Sequence, residues 1–205
     1  HSYPMSRRLV AWSKILAGTR GAPGWEETAR RALQSMADQA SYLADWPEYH
    51  LEGNHLLANF HALAWVERQL GELFGAELRG RLAGFADRFE GELLRQTRAD
   101  GAHEENATSY HLLVLKDAFE WMVLCDRRER PVSSMVRARI EKMFDFLAGI
   151  LKPDGSVPML NDAVGGYPMA ADELLAAGAV AFERGDWKYT AGGVEGTYIA
   201  WLFGE

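Results

Sequence analysis

Only one cysteine, Cys125, occurs in the 205 residues, which excludes a disulfide framework and a cysteine-built zinc site. No run of 18 apolar residues is present, so no membrane-spanning helix is expected. Strand alternation with hairpin turns is missing, as are a phosphate-binding P-loop, a GxSxG nucleophile elbow and a dinucleotide fingerprint. Positive charge is in deficit. The formal net charge of -7 argues against nonspecific binding to nucleic acid. No signal peptide is visible, and the chain opens on His1 rather than Met, as an excised or processed piece would. What remains is ordinary for a globular chain: 48% apolar and 25% charged residues, enough for one sizeable domain with a core.

The pattern that is present is helical. Val136, Ile140, Met143, Phe144, Leu147, Ile150 and Leu151 fall at three- and four-residue steps, one apolar stripe on a helix. Leu56, Phe60, Leu63 and Leu70 form a similar stripe. Helices are expected at about 4–17, 25–46, 54–73, 75–98, 108–125, 132–151, 168–183 and 192–203. Asp100-Gly101 and Asp154-Gly155 mark turns, and Pro153 helps end the helix before it.

The stretches "GNHLLANFHAL" and "SYHLLVLKDAF" align, with Asn54 against Tyr110 and His-Leu-Leu following each. Tyr3, Asn54, Tyr110 and Tyr167 recur at intervals of 51, 56 and 57 residues, each at a helix start. A two-helix unit of this length means stacked hairpins, as an open solenoid or a closed α/α toroid. The loops before the marked residues, such as "DGAHEENATSY" and "DGSVPMLNDAVGGY", are polar and aromatic, and the opposite turns are not. One end of the hairpins is therefore expected to be the working face.

Asn54 suits an N-cap, and its amide could also donate to a ligand oxygen. Tyr110 is either a packed aromatic or a proton-transfer group. His103, Glu105, Asn106 and His111 lie within seven residues of it. His55 and His111 follow the marked residues and suit a structural or a functional part equally. His50, His55 and His61 do not make a zinc pattern, "HEENA" is not HExxH, and no metal is expected. Glu104, Glu105, Asp117 and Asp162 could supply a carboxylate pair for glycoside hydrolysis. Asn161-Asp162 could equally fix their own loop.

Four stretches in order resemble the heparinase II/III family of polysaccharide lyases: "HSYPMSRR", "GNHLLAN", "DGAHEENATSYH" and "DGSVPMLNDA", from His1 to Ala163. The resemblance implies an all-α chain, an α/α toroid built as an incomplete barrel of stacked helical hairpins. Residues 1–205 would be a single fragment of that domain, without the family's β-sandwich. It implies β-elimination on a uronic-acid-containing glycan, with Tyr110, Asn54 and His55 catalytic. Arg8, His103, Glu105, His111 and Asn161 would contact or support the substrate. No cofactor and no nucleic-acid partner are implied; the partner is an acidic polysaccharide, met in a bacterial periplasm or outside the cell. Lyases of this type draw a catalytic histidine from the sandwich, so this piece alone is expected to be weak or inactive. Two other classes fit the residues, a glycan-binding toroid without catalysis and an inverting glycosidase.

Overall fold

The computed structural model describes residues 1–165, 170–193 and 196–203. Its elements are α1 (Ser2–Gly18), α2 (Trp25–Asp45), α3 (Gly53–Leu70), a 3-10 turn (Gly71–Leu73), α4 (Ala76–Leu82), α5 (Phe85–Gln96), α6 (Thr108–Arg127), α7 (Ser134–Ile150), α8 (Ala171–Ala181), α9 (Gly185–Thr190) and α10 (Thr197–Phe203). A single antiparallel bridge, Thr97 with His103, is the only β pairing among the described residues. No helix among them is long and apolar enough to cross a membrane. The chain divides into two compact units, residues 1–92 and 93–205.

Three expected boundaries shift. The helix expected at 75–98 is two helices, because Gly84 takes a left-handed φ of +87° between α4 and α5. The helix expected at 54–73 ends at Leu70 and tightens into the 3-10 turn. Helix α9 falls where no helix is expected, and α10 is shorter than the 192–203 span. Tyr167, the fourth marked residue, lies outside the described residues.

In the first unit α3 packs against α1, α2 and α4. Every residue from Leu56 to Val66 is buried, the signature of a helix enclosed on all sides. Helix α2 buries only Ala29, Met36, Ala40 and Leu43, one stripe of an outer helix. The second unit repeats the scheme. Helix α6 is buried from His111 to Cys125 apart from Lys116, and packs against α7 and α8. Helix α7 offers one stripe, Val136, Ile140, Met143, Phe144 and Leu147, and is capped by Ser133, whose Oγ accepts from the Val136 amide at 3.2 Å.

Several polar groups on the enclosed helices are hydrogen-bonded inside the protein. Trp65 Nε1 donates to Ser13 Oγ at 2.6 Å, and Ser13 donates to the Val10 carbonyl at 2.8 Å. Glu120, 2% exposed, takes Lys116 Nζ at 2.9 Å and the Tyr198 hydroxyl at 3.3 Å. Burial and the neighbouring carboxylates push the Tyr198 hydroxyl's pKa up.

The two Asp-Gly turns share one construction. Asp100 Oδ1 accepts from the Ala102 amide and Asp154 Oδ1 from the Ser156 amide, both at 3.0 Å. The glycines have φ of +92° at Gly101 and +78° at Gly155. At Gly101 there is a second constraint: a Cβ would lie 2.0 Å from the Lys142 carbonyl oxygen of α7. Gly101→Ala therefore combines an unfavourable φ with a collision against helix backbone, and should cost on the order of 2–4 kcal/mol. Gly91, exposed inside α5 with nothing within 4 Å of a Cβ, is the control. Gly91→Ala should stabilise by about 0.5–1 kcal/mol. Urea unfolding midpoints of the two variants check both signs.

Candidate active site

Asn54 and Tyr110 occupy the first turns of α3 and α6, as their alignment in the sequence suggests. Asn54 and His55 belong to the first unit. His103, Glu105, Tyr110, His111 and Asn161 belong to the second. Each group is built by its own unit.

In the first unit Asn54 is 9% exposed and His55 is half-buried. The His55 ring lies against Tyr3 of α1, centroids 4.5 Å apart and tilted by 31°. Its Nδ1 is sealed from solvent and sits 3.4 Å from Glu48 Oε2, an ion-pair distance rather than a good hydrogen bond. Glu48, 6% exposed, comes from the loop between α2 and α3 and is tied to Asn59 of α3. The Glu48 amide donates to Asn59 Oδ1 at 2.7 Å. Asn59 Nδ2 donates to Glu48 Oε2 at 3.2 Å and to Ser6 Oγ at 3.0 Å. Arg8 is turned elsewhere. It is exposed, its Nε donates to Gln39 Oε1 of α2 at 2.6 Å, and its guanidinium lies over Trp12 at 5.8 Å. Arg7, four residues after Tyr3, shares that residue's face of α1 instead.

In the second unit the backbone of residues 98–104 folds back on itself. Arg98 donates to the Ala102 carbonyl at 2.9 Å and Glu104 to the Gln96 carbonyl at 2.8 Å. The turn carries His103 inward to 1% exposure, with Nε2 3.0 Å from Gln96 Oε1. His111, 2% exposed, packs on Phe146 at 4.8 Å and places Nε2 3.1 Å from the Met143 carbonyl. Both Nε2 atoms face oxygen acceptors, so each carries the ring proton and leaves Nδ1 as a bare lone pair. Both Nδ1 atoms are buried without a hydrogen-bond partner among the described residues.

Burial accordingly favours the neutral rings. His111 is lowered to about 4, chiefly by desolvation, against the opposing bond to Met143. His103 is lowered too, by desolvation first; Glu105 opposes this and Arg95 adds to it. His103 and His111 are expected from the sequence to contact or support the substrate; both are sealed, and they brace the turn and the start of α6.

Tyr110 is half-buried, flanked by Ser109 and His111, which are buried at 3% and 2%. The 153–165 loop is stitched across this helix start. Thr108 Oγ1 donates to the Pro158 carbonyl at 2.6 Å, the Val164 amide to Ser109 Oγ at 3.3 Å, and Asn161 Nδ2 to the Asn106 carbonyl at 2.9 Å. Asn161 is thus an exposed anchor of the loop, and its φ of 51° matches the 57° of Asn106. Glu105 is half-buried beside His103, while Glu104 pairs with Arg95 at 3.3 Å.

Glu48 lies in no motif of the sequence, and Asn59 closes the "GNHLLAN" stretch without being singled out within it. The one available signal is Asn59 itself, an amide set in the apolar run of α3 where it must find a buried partner.

The burial of His111 fixes a pH response. Below about pH 6.5 the unfolded chain takes up a proton that native His111 refuses until about pH 4. Folding stability contributed by the neutral ring is complete above pH 6.5 and is lost as pH falls toward 4, at up to about 1.4 kcal/mol per pH unit. The depressed His103 acts in the same direction. Urea unfolding at pH 7, 6, 5 and 4.5 should give a falling stability whose slope is shallower in His111→Gln.

Three comparisons bear on this arrangement. The family model described as Heparinase II/III N-terminus matches residues 26–182. A heparin-sulfate lyase of Bacteroides thetaiotaomicron is 30% identical over 152 residues, covering 69% of this chain and 20% of that protein. The crystal structure of heparinase III superposes with a TM-score of 0.78 at 21% identity, covering 96% of this chain and 31% of that one. The latter likeness is one of fold: all-α, of the α/α toroid type.

Proposed function

The chain belongs to the heparinase II/III family, and from that membership we propose that it forms the helical part of a polysaccharide lyase. It spans about a fifth of the length of the curated relative it matches, so the activity is proposed for the intact protein. The reaction is β-elimination on a uronic-acid-containing glycan. The C5 proton is removed, the electron pair forms a C4=C5 double bond, and the C4–O4 bond breaks with O4 leaving as a protonated hydroxyl. Such polymers are met in the periplasm or outside a bacterial cell.

The difficulty in this reaction is the weak acidity of C5–H. Its loss moves negative charge onto the neighbouring carboxylate, and preorganised donors at that carboxylate lower the barrier most. Asn54 has the amide for this, fixed in the first turn of α3, and His55 stands beside it. Tyr110 exchanges protons with C5 or with the leaving O4.

One observation carries the assignment to Tyr110. In the first turn of α6 its neighbours Ser109 and His111 are buried and bonded into the scaffold, while the phenol stays partly open. A rigid support with one accessible proton-transfer group suits acid–base work. Hydrolysis by a carboxylate pair is less well supported. Glu104 is taken by Arg95, and Asp117 is 4% exposed within α6.

Tyr110→Phe in the intact protein tests the reading, since it keeps the ring and removes the hydroxyl. Turnover, followed as the near-ultraviolet absorbance of the unsaturated uronate, should fall on the order of 10²–10⁴-fold. Melting temperature and glycan affinity should stay near the unmodified values. A well-folded variant with undiminished rate would remove Tyr110 from the mechanism.

A further inference from the structure

We propose that Glu48 is a positioning residue that sets the orientation and proton placement of His55. The inference rests on the reading above, in which His55 works beside Asn54, and adds to it a residue from outside any matched motif.

The His55 ring has two unlike edges. Nδ1 is wholly buried, 3.4 Å from Glu48 Oε2. The side chain is nonetheless 40% exposed, so its open surface lies on the other edge, toward Nε2. Tyr3 covers one ring face at 4.5 Å. The ring is therefore held from two directions and open in a third.

Glu48 is an expensive way to hold a ring if packing were all that mattered. A buried carboxylate is costly unless its oxygens are paired, and Glu48 is only 6% exposed. The protein holds it with Asn59, itself wholly buried. Asn59 accepts from the Glu48 amide at 2.7 Å and donates to the Glu48 carboxylate at 3.2 Å and to Ser6 Oγ at 3.0 Å. Ser6 passes its own hydrogen to the Ser2 carbonyl at 3.0 Å. Asn59 Nδ2 of α3 thus donates to one oxygen of a carboxylate carried by the α2–α3 loop, His55 Nδ1 faces the same oxygen, and α1 joins through the Ser6 hydroxyl on Asn59.

The chemical consequence follows from the partner's charge. An ionised carboxylate 3.4 Å from Nδ1 favours, through its charge and without a formed hydrogen bond, the tautomer with the proton on that nitrogen. Neutral His55 then offers a lone pair at Nε2, and protonated His55 offers an N–H there. Either way the outward edge is the same in every turnover, because the inner edge is fixed. An imidazole free to flip would present the correct edge only part of the time.

Two variants of the intact protein separate this role from simple packing. Glu48→Gln keeps the shape and removes the charge; Glu48→Asp keeps the charge on a shorter arm. Initial rates on a uronate polymer are measured against pH, together with melting curves. The His55 ring is read by ¹⁵N NMR of histidine-labelled protein. For Glu48→Gln we expect kcat to fall on the order of 10-fold or more with KM changing less than about twofold. The limbs of its pH profile should be displaced, and Glu48→Asp should recover part of the rate. In the unmodified protein the neutral ring should carry its proton on Nδ1. A Glu48→Gln protein with unaltered kcat and pH profile, or a native ring protonated on Nε2, overturns the proposal. His55→Ala tells that failure from failure of the underlying reading. If His55→Ala is impaired while Glu48→Gln is not, only the role of Glu48 falls; if His55→Ala turns over normally, His55 has no part in the site. The NMR measurement on unmodified protein stands even where a Glu48 variant fails to fold.

Discussion

Enclosure of α3 and α6 on every side is the constraint from which the rest of the molecule follows. A helix surrounded by protein has no water-facing side on which to place a polar group. Each such group on it must find its partner inside or sit at an end. Asn59 solves this by binding a loop and a neighbouring helix at once. Glu120 solves it with Lys116 and Tyr198. Near their starts these helices open partly at His55 and Tyr110, with Asn54 buried beside His55.

The repeated His-Leu-Leu shows how one sequence phrase is put to two uses. His55 and His111 are equivalent by alignment, yet one is half-open against a carboxylate and the other is sealed against a backbone carbonyl. The difference lies in the partner that each unit supplies. The His55 side chain stays partly open to solvent. A main-chain carbonyl under a desolvated ring turns the imidazole into a neutral brace. The two helix starts share an outline and differ in what surrounds the histidine.

Much of this was legible in the residues alone. The apolar stripe of α7 and the start of α6 follow directly from three- and four-residue spacing, because helix burial is periodic. The Asp-Gly turns are legible for the same local reason. The break at Gly84 was hidden, since a glycine in a helical pattern signals a possible left-handed turn without saying that it is taken. Helix α9 was hidden because six residues are too few to display a period. The inward turn of His103 and His111 depends on Gln96 and Met143, partners 7 and 32 residues away, which no local spacing reports. Glu48 is the extreme case. Its relation to His55 exists only once Asn59, further along the next helix, has pinned the loop.

The three bonds that hold the 153–165 loop over the start of α6 have a common form: each joins a side chain on one side to a main-chain atom on the other. Main-chain atoms are the same in every residue except proline, which has no N–H. Drift at Val164 to any residue but proline would therefore leave its bond intact, whereas loss of the side-chain group at Thr108, Ser109 or Asn161 would break one. Asn106 is the exception on the main-chain side, because its left-handed backbone restricts which residues fit there. Among descendants of this chain the loop's hold on α6 can thus persist while much of its exposed surface diverges. Loop chemistry can change while the tyrosine beneath stays on the same support.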